Sequence, residues 1–356
     1  MTKTVEQLME PVFSFPGIVG MQGGKKYYSV CIPFRALARL LAIDIGNTMD
    51  RSQRDVDPRR ATAVKQYIQD NPTGFVLPSL TGVVDEKDLT FTEHLEGSCV
   101  GTITMSMEAE IKLFDGQHRA TGIMALVKEH SALAHNTIPV VLFANMDLQA
   151  RQQAFSDING TAKNVSASLN AAYDHRDISG QRLARMANQV SGWTMQIEWE
   201  KASCAGKSEK IFPFKAIMDA SRLLLGKGKR DEISEADADF AAEFWGKVSH
   251  AAGWRNRALV PEHSCIEGRD SFITYHVIGL KALALWGRQV IEDGQDLDPA
   301  IERLTAQKKK MDRYANHWQG KCTDDEGRMI SDKEALIAVV KYLCLITEVK
   351  PSTSLE

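Results

Sequence analysis

Residues 109–127 read AEIKLFDGQHRATGIMALV, and this stretch decides the first half of the fold. A short apolar strand precedes the polar pentapeptide DGQHR at 115–119, and apolar residues recur at helical spacing after it. Gly116 allows a tight turn with positive φ between the two elements. A further apolar run at 139–143 is typical of a buried strand. The region therefore predicts a strand, a tight turn, a helix and a strand in that order.

The pentapeptide also carries candidate chemistry. A helix that opens after Gly116 presents backbone N–H groups and a positive dipole end to an anion, and Arg119 can fork onto phosphate oxygens. Gln117 offers hydrogen bonds, and His118 can transfer a proton near neutral pH. Asp115 can hold Mg²⁺ or orient a water molecule. The alternative is a common Asp-Gly turn in which Asp115 caps the helix and the other side chains are solvated.

A second polar segment follows the helix predicted over 148–158. Asp157, Asn159 and Asn164 could hold a metal, a base or a ribose. The alternative, which the residues alone favour, is a polar loop over 159–168 whose Asx and Ser side chains satisfy local backbone groups.

The rest of the chain divides into a β-rich first part and a helical second part. The most apolar stretch, 273–290, contains charged residues and predicts a buried helix rather than a membrane span. Strands are predicted over 26–32, 75–84, 101–107, 109–114 and 139–143. Helices are predicted over 34–41, 58–68, 120–127, 148–158, 178–190, 213–225, 233–252, 272–292, 296–315 and 332–347.

Charge is segregated along the sequence. The 356 residues contain 43 Lys/Arg and 46 Asp/Glu, a net charge of −3, which excludes a polybasic protein as a whole. Residues 176–230, however, hold eleven Lys/Arg and five Asp/Glu, and residues 231–243 hold six acids and no base. The basic block predicts a DNA-binding face, with candidate contacts Arg182, Arg185, Lys207, Lys210, Lys227, Lys229 and Arg230.

The six cysteines lie far apart in the sequence and form no C-x-x-C motif. This spacing argues against a zinc ribbon or a disulfide scaffold and favours a reducing, cytoplasmic compartment.

Three segments together resemble a known family. They are DGQHR at 115–119, FSDIN at 155–159 and AKNVSASLNAAYDHRD at 162–177. In this order they are similar to the DGQHR-domain proteins and, more narrowly, to the DndB family of bacterial DNA phosphorothioation systems.

The resemblance implies a fold and a site. DGQHR proteins are placed in the ParB/sulfiredoxin-like superfamily, whose members bind nucleotide phosphates through a Gly-x-x-Arg turn, and Gly116 to Arg119 match that turn. Sulfiredoxins carry a cysteine after the glycine, whereas this chain has Gln117, so sulfinic-acid chemistry is not expected. We expect an α/β (α+β) fold, with a mixed-sheet ParB/sulfiredoxin-like domain over 1–177 and a mainly α-helical domain over 178–354.

The resemblance also implies a function. DndB proteins are regulators that bind DNA and repress the modification gene cluster. We therefore expect double-stranded promoter DNA as partner, with ATP or another nucleotide and Mg²⁺ at the turn modulating the binding. Two alternatives stay open. One is an Mg²⁺-dependent ATPase or DNA nickase with Asp115 and His118 as catalytic residues and Asp115 as metal ligand. The other is an interaction subunit that binds other phosphorothioation proteins; homo-oligomerisation is open.

Overall fold

The structure, a computed structural model, describes four stretches of the chain, residues 11–41, 56–161, 165–254 and 264–352. The chain falls into two compact units, residues 1–163 and 164–356. The first unit holds a seven-stranded mixed sheet, and the second is mainly helical. This confirms the predicted α/β class with a helical second half.

The described residues of the first unit form seven strands, four α-helices and two 3₁₀ turns. The strands are β1 (Val12–Gln22), β2 (Lys25–Pro33), β3 (Leu80–Val84), β4 (Leu89–Glu93), β5 (Val100–Ser106), β6 (Lys112–Asp115) and β7 (Thr137–Ala144). The described α-helices are α1 (Phe34–Leu40), α2 (Pro58–Asp70), α3 (Gln117–Glu129) and α4 (Leu148–Thr161), with 3₁₀ turns at Glu86–Asp88 and Ser131–His135.

The strand order in the sheet is β4-β5-β1-β2-β7-β3-β6. All neighbours pair antiparallel except β3 and β7, which run parallel. Strand β6 is an edge strand, and α3 connects it to β7. The DGQHR turn, which joins β6 to α3, therefore lies at the edge of the sheet.

One face of the sheet carries the core of this unit. Val30, Val140 and Leu142 point to the same face and are at most 2% exposed. Ile123 and Leu126 of α3 join the same apolar cluster. Removing an aliphatic side chain of this size from water stabilises the fold by about 1.5–3 kcal/mol, so the amphipathic face of α3 holds it to the sheet.

Helices α2 and α3 pack side by side and run in the same direction. A Cβ at Gly122 would lie 2.7 Å from the carbonyl oxygen of Ala61, so glycine permits the close approach. Further along both helices, Lys65 Nζ lies 2.6 Å from Glu129 Oε1. Because residue numbers rise together in both helices, their N-termini lie at the same end.

The second unit is a helical bundle. Its helices are α5 (Ala167–Tyr173), α6 (Ile178–Gln189), α7 (Phe214–Leu225), α8 (Glu235–Ala251), α9 (Cys265–Ser271), α10 (Val277–Glu292), α11 (Leu297–Ala306) and α12 (Lys333–Ile346). Two short parallel strands, β8 (Ile197–Glu198) and β9 (Phe212–Pro213), and 3₁₀ turns at Ser191–Trp193, Ile273–Tyr275 and Lys308–Met311 complete it.

Helix α10 is the centre of this bundle. Its side chains are buried on most of its circumference, and it packs against α7 and α12. This confirms the prediction of a buried helix within 273–290. Within the four described stretches, no helix is both long and apolar enough to cross a membrane.

Three tryptophans fill the core beside α8. The ring centroids of Trp193, Trp245 and Trp254 lie 5.2–6.0 Å apart. The indole N–H of Trp245 donates to Ser221 Oγ at 3.0 Å, and that of Trp254 donates to the Thr274 carbonyl at 2.9 Å. The indole nitrogens of Trp245 and Trp254 are therefore satisfied inside an apolar cluster. That of Trp193 is buried and has no hydrogen-bond partner among the described residues.

Several predicted boundaries differ from the structure. Strand β1 has no counterpart among the predicted strands, because its Pro16, Gly17 and Gly20 weaken the strand pattern while its neighbours β2 and β5 supply the pairing. The helix predicted over 296–315 ends at Ala306, and a 3₁₀ turn follows it.

The contact at Gly122 generates a prediction. Gly122→Ala should lower the free energy of unfolding by about 1–3 kcal/mol, because the added methyl group overpacks the interface with α2. Urea unfolding followed by far-ultraviolet circular dichroism measures the change.

Gly160→Ala is the control. Gly160 lies in the last turn of α4, and a Cβ there meets no atom within 4 Å. This variant should unfold at the same or a higher urea concentration, since alanine favours helix over glycine by about 1 kcal/mol. Equal destabilisation of both variants would contradict the packing argument.

Candidate functional site

The DGQHR turn adopts the predicted strand–turn–helix geometry. Strand β6 ends at Asp115, Gly116 has φ of 93°, and α3 begins at Gln117. A side chain at Gly116 would be strained at this φ, and its Cβ would lie 2.6 Å from Leu80 Cδ2. Glycine therefore fits this position, because it tolerates the positive φ and leaves room for the Leu80 side chain.

Arg119 closes the turn. One guanidinium nitrogen donates to Asp115 Oδ2 at 2.7 Å and to the Ser79 carbonyl at 3.1 Å. The two charged side chains are 23% and 30% exposed. Arg119 Nε is buried and has no hydrogen-bond partner in the described part of the chain. The guanidinium thus holds the turn together and keeps one N–H donor unused.

His118 joins the turn to α2. Its Nε2 accepts a hydrogen bond from the backbone N–H of Asp57 at 3.0 Å, and Asp57 is the N-cap of α2. The N-termini of α2 and α3 therefore lie side by side, and both positive dipole ends point to the same corner. Arg59 and Arg60, in the first turn of α2, are exposed. We call this corner, formed by residues 57–60 and 115–119, the anion corner.

Arg59 and Arg60 are absent from the predicted site residues. The Asp57-Pro58 helix start was visible in the sequence, but nothing in the local pattern indicates that this start lies beside His118. The two segments are brought together by the packing of α2 on α3.

The remaining predicted polar residues lie elsewhere. Gln117 is only 7% exposed at the start of α3. Helix α4 continues to Thr161, so Asp157 and Asn159 lie on a helix, and the predicted loop over 159–168 is wrong at its start. Asp157 Oδ1 accepts from Gln153 at 2.7 Å, and Asn159 donates to the Phe155 carbonyl at 2.8 Å, both within α4.

Asn164 lies outside the described residues.

A cavity of about 450 Å³ opens at the other end of β6. Lys112 begins β6 and lines this cavity, whereas Asp115 ends the strand at the anion corner. Because four carboxylates surround the cavity beside three cations, it suits an anion less well than the corner does. These charged residues are Asp85, Asp88, Glu108, Glu110, Lys87, Lys112 and Arg151.

In the second unit, the two oppositely charged blocks of the sequence fold onto each other. Arg182 of α6 pairs with Glu232 at 3.0 Å and with Glu235 at 3.1 Å. Arg185 pairs with Glu235, and Lys227 pairs with Asp237. Three of the seven predicted DNA contacts are thus engaged by acids of the neighbouring block.

The other four predicted DNA contacts have different surroundings. Lys210 Nζ donates to the Met195 carbonyl at 2.8 Å. Lys207, Lys229 and Arg230 are exposed and form no ion pair with any residue that the structure describes. Lys229 and Arg230 belong to a loop whose backbone is organised by hydrogen bonds from buried Arg222 to the Gly228 and Asp231 carbonyls.

Across the described ranges, no group of three or more His, Cys, Asp or Glu side chains is arranged to hold a metal ion.

Comparison with known proteins identifies the family. The family model described as DndB, DNA-sulfur modification-associated, matches residues 15–349. The chain belongs to the DndB family. The match spans both structural units, so the DndB family assignment covers the helical half as well as the DGQHR turn. No curated protein and no solved structure matches the chain. Membership of the DndB family connects the protein with DNA sulfur modification.

The ion pair of Lys227 and Asp237 predicts that the free energy of unfolding depends on pH. Burial alone would favour the neutral acid, but hydrogen bonds from Lys227 and Ser234 lower the pKa of Asp237 from 3.8 to about 2. A lowered folded-state pKa stabilises the fold above the unfolded pKa, and the stabilisation is lost as the pH falls from about 4 through about 2. Asp237→Asn should therefore lower the free energy of unfolding by about 1–2 kcal/mol at pH 7.

Urea unfolding at pH 7 and at pH 3 measures this difference. The loss caused by Asp237→Asn should shrink at the acidic end. Asp239→Asn is the control, because Asp239 is exposed and forms no ion pair within the described ranges. The same loss at both pH values would argue against the ionic origin of the stabilisation.

Proposed function

We propose that the chain is a DNA-binding repressor of a DNA sulfur-modification gene cluster, and that a nucleotide or phosphate bound at the anion corner modulates DNA binding. The observation that carries the proposal is the family match over residues 15–349 together with the DGQHR turn at its expected strand–helix junction.

The geometry of the anion corner supports phosphate binding. Two helix N-termini converge there, and the left-handed turn at Gly116 opens α3 directly at the end of β6. Arg119 keeps one N–H donor without a hydrogen-bond partner from the described residues. Gly116, Gln117 and Arg119 would hold the phosphate oxygens of a nucleotide, and Mg²⁺ bound with it would neutralise their charge.

The surroundings of the two candidate catalytic residues favour binding over hydrolysis. Arg119 occupies one oxygen of the Asp115 carboxylate, and the Asp57 N–H occupies the Nε2 lone pair of His118. A histidine nitrogen that accepts a hydrogen bond cannot take a proton without breaking that bond. Both side chains thus maintain the corner itself, which supports a regulatory role.

For DNA, the exposed cations Lys207, Lys229 and Arg230 support contact with the phosphate backbone. Arg182, Arg185 and Lys227 would instead stabilise the helical unit through their ion pairs.

Specific repression predicts selective DNA binding. A fluorescent duplex from the promoter of the protein's own gene cluster should bind more tightly than a shuffled duplex of the same composition. Because phosphate contacts release counterions, the logarithm of the affinity should fall with the logarithm of the salt concentration by about 0.9 per contact. Fluorescence anisotropy at several salt concentrations measures both effects, and equal affinity for the two duplexes would exclude sequence-specific repression.

The proposed nucleotide site predicts that nucleotide affinity depends on Arg119. Arg119→Gln should weaken binding of a fluorescent ATP analogue about tenfold or more, since a charge-assisted hydrogen bond contributes about 1.5–3 kcal/mol.

Asp115→Asn serves as the control for this measurement, because it weakens the same ion pair but keeps the guanidinium. With Mg²⁺ omitted, it should bind the analogue at least as well as the wild type. Equal losses in both variants would assign Arg119 to the integrity of the turn rather than to the ligand.

A further inference from the structure

A second group of cations lies in the helical unit, outside the basic block of the sequence. The 3₁₀ turn Lys308–Met311 follows α11 and presents three consecutive lysines. Residues 308–321 contain five Lys/Arg and a single acid, Asp312.

This turn is held in place by buried contacts. The Lys310 carbonyl accepts a hydrogen bond from the indole N–H of Trp318 at 2.9 Å and lies 2.8 Å from His317 Nε2. Trp318 and Met311 are almost fully buried. Because the backbone is anchored in this way, the lysine side chains leave the surface from a defined position, which reduces the entropy lost on binding.

Lys321 belongs to the same surface. Its Nζ lies 5.5 Å above the ring of Tyr342, and that ring stacks on His317 at 4.5 Å. His317 in turn contacts the Lys310 carbonyl, so the aromatic stack connects the two basic segments. We call Lys308, Lys309, Lys310 and Lys321 the lysine patch.

No ion pair neutralises the lysine patch. None of its four ammonium groups lies within 4 Å of a carboxylate of the described residues. Of the acids that follow Lys321 in the sequence, Asp324 and Glu326 pair with Arg328 at 2.8 and 2.6 Å. Asp312 accepts the Tyr314 N–H at 2.9 Å.

We infer that the lysine patch binds the phosphate backbone of duplex DNA. The inference rests on the proposed function, and it names a surface that the charge pattern of residues 176–230 does not include. Unpaired ammonium groups on a rigid turn are complementary to successive phosphates, and DNA is the polyanion with which the chain's family is associated.

The test compares three variants of the full chain with the wild type. The first replaces Lys308, Lys309 and Lys310 with glutamine. The second replaces the same residues with arginine and keeps the charge. The third replaces Lys25, Lys128 and Lys333 with glutamine, because these lysines are exposed and form no ion pair in the described part of the chain. The probe is the fluorescent promoter duplex, and thermal melting confirms that each variant folds.

The glutamine variant of the patch should lose three phosphate contacts. The ratio of its affinities at about 50 and 200 mM salt should be smaller than that of the wild type by a factor of roughly ten to forty. The arginine variant and the Lys25/Lys128/Lys333 variant should keep the wild-type ratio.

The outcomes separate the two proposals. If the wild type binds no DNA, the proposed function fails and the inference falls with it. If the wild type binds and the glutamine variant of the patch keeps its affinity and salt dependence, the inference alone is overturned. Equal losses in both glutamine variants would attribute the effect to net charge and would also overturn it.

Discussion

The hydrogen bonds of Arg119 to Asp115 and Ser79 fix the start of α3 against two strands of the sheet, and the rest of the anion corner depends on them. One guanidinium nitrogen links the last residue of β6 to the residue that precedes β3. The turn from β6 into α3 requires a left-handed residue, and Gly116 supplies it. The start of α3 is thereby tied to the edge of the sheet, and its apolar face packs on the core.

The same turn makes the anion corner. Because α3 starts at the sheet edge and α2 runs parallel to it, two positive helix ends meet beside Arg119. The parallel packing depends on the absence of a side chain at Gly122. The close packing of α2 on α3 at Gly122 thus decides where the two positive helix ends lie.

In the second unit, ion pairing decides which cations remain available to a partner. Arg182 and Lys227 face acids across short distances, whereas the lysines at 308–310 face none in the described part of the chain. The anion corner and the lysine patch lie in different units.

The sequence by itself determined the local elements: the strand, glycine turn and helix around residues 115–119, and the buried helix within 273–290. Periodicity and the φ preference of glycine are local properties, so they can be predicted from neighbouring residues. It also indicated the DndB family through three ordered segments. Only the tertiary structure decided that His118 meets Asp57, that Arg182 and Lys227 are paired, and that the lysines at 308–310 are not. These facts depend on how helices and loops pack in three dimensions, and a charge count along the sequence contains no such distances.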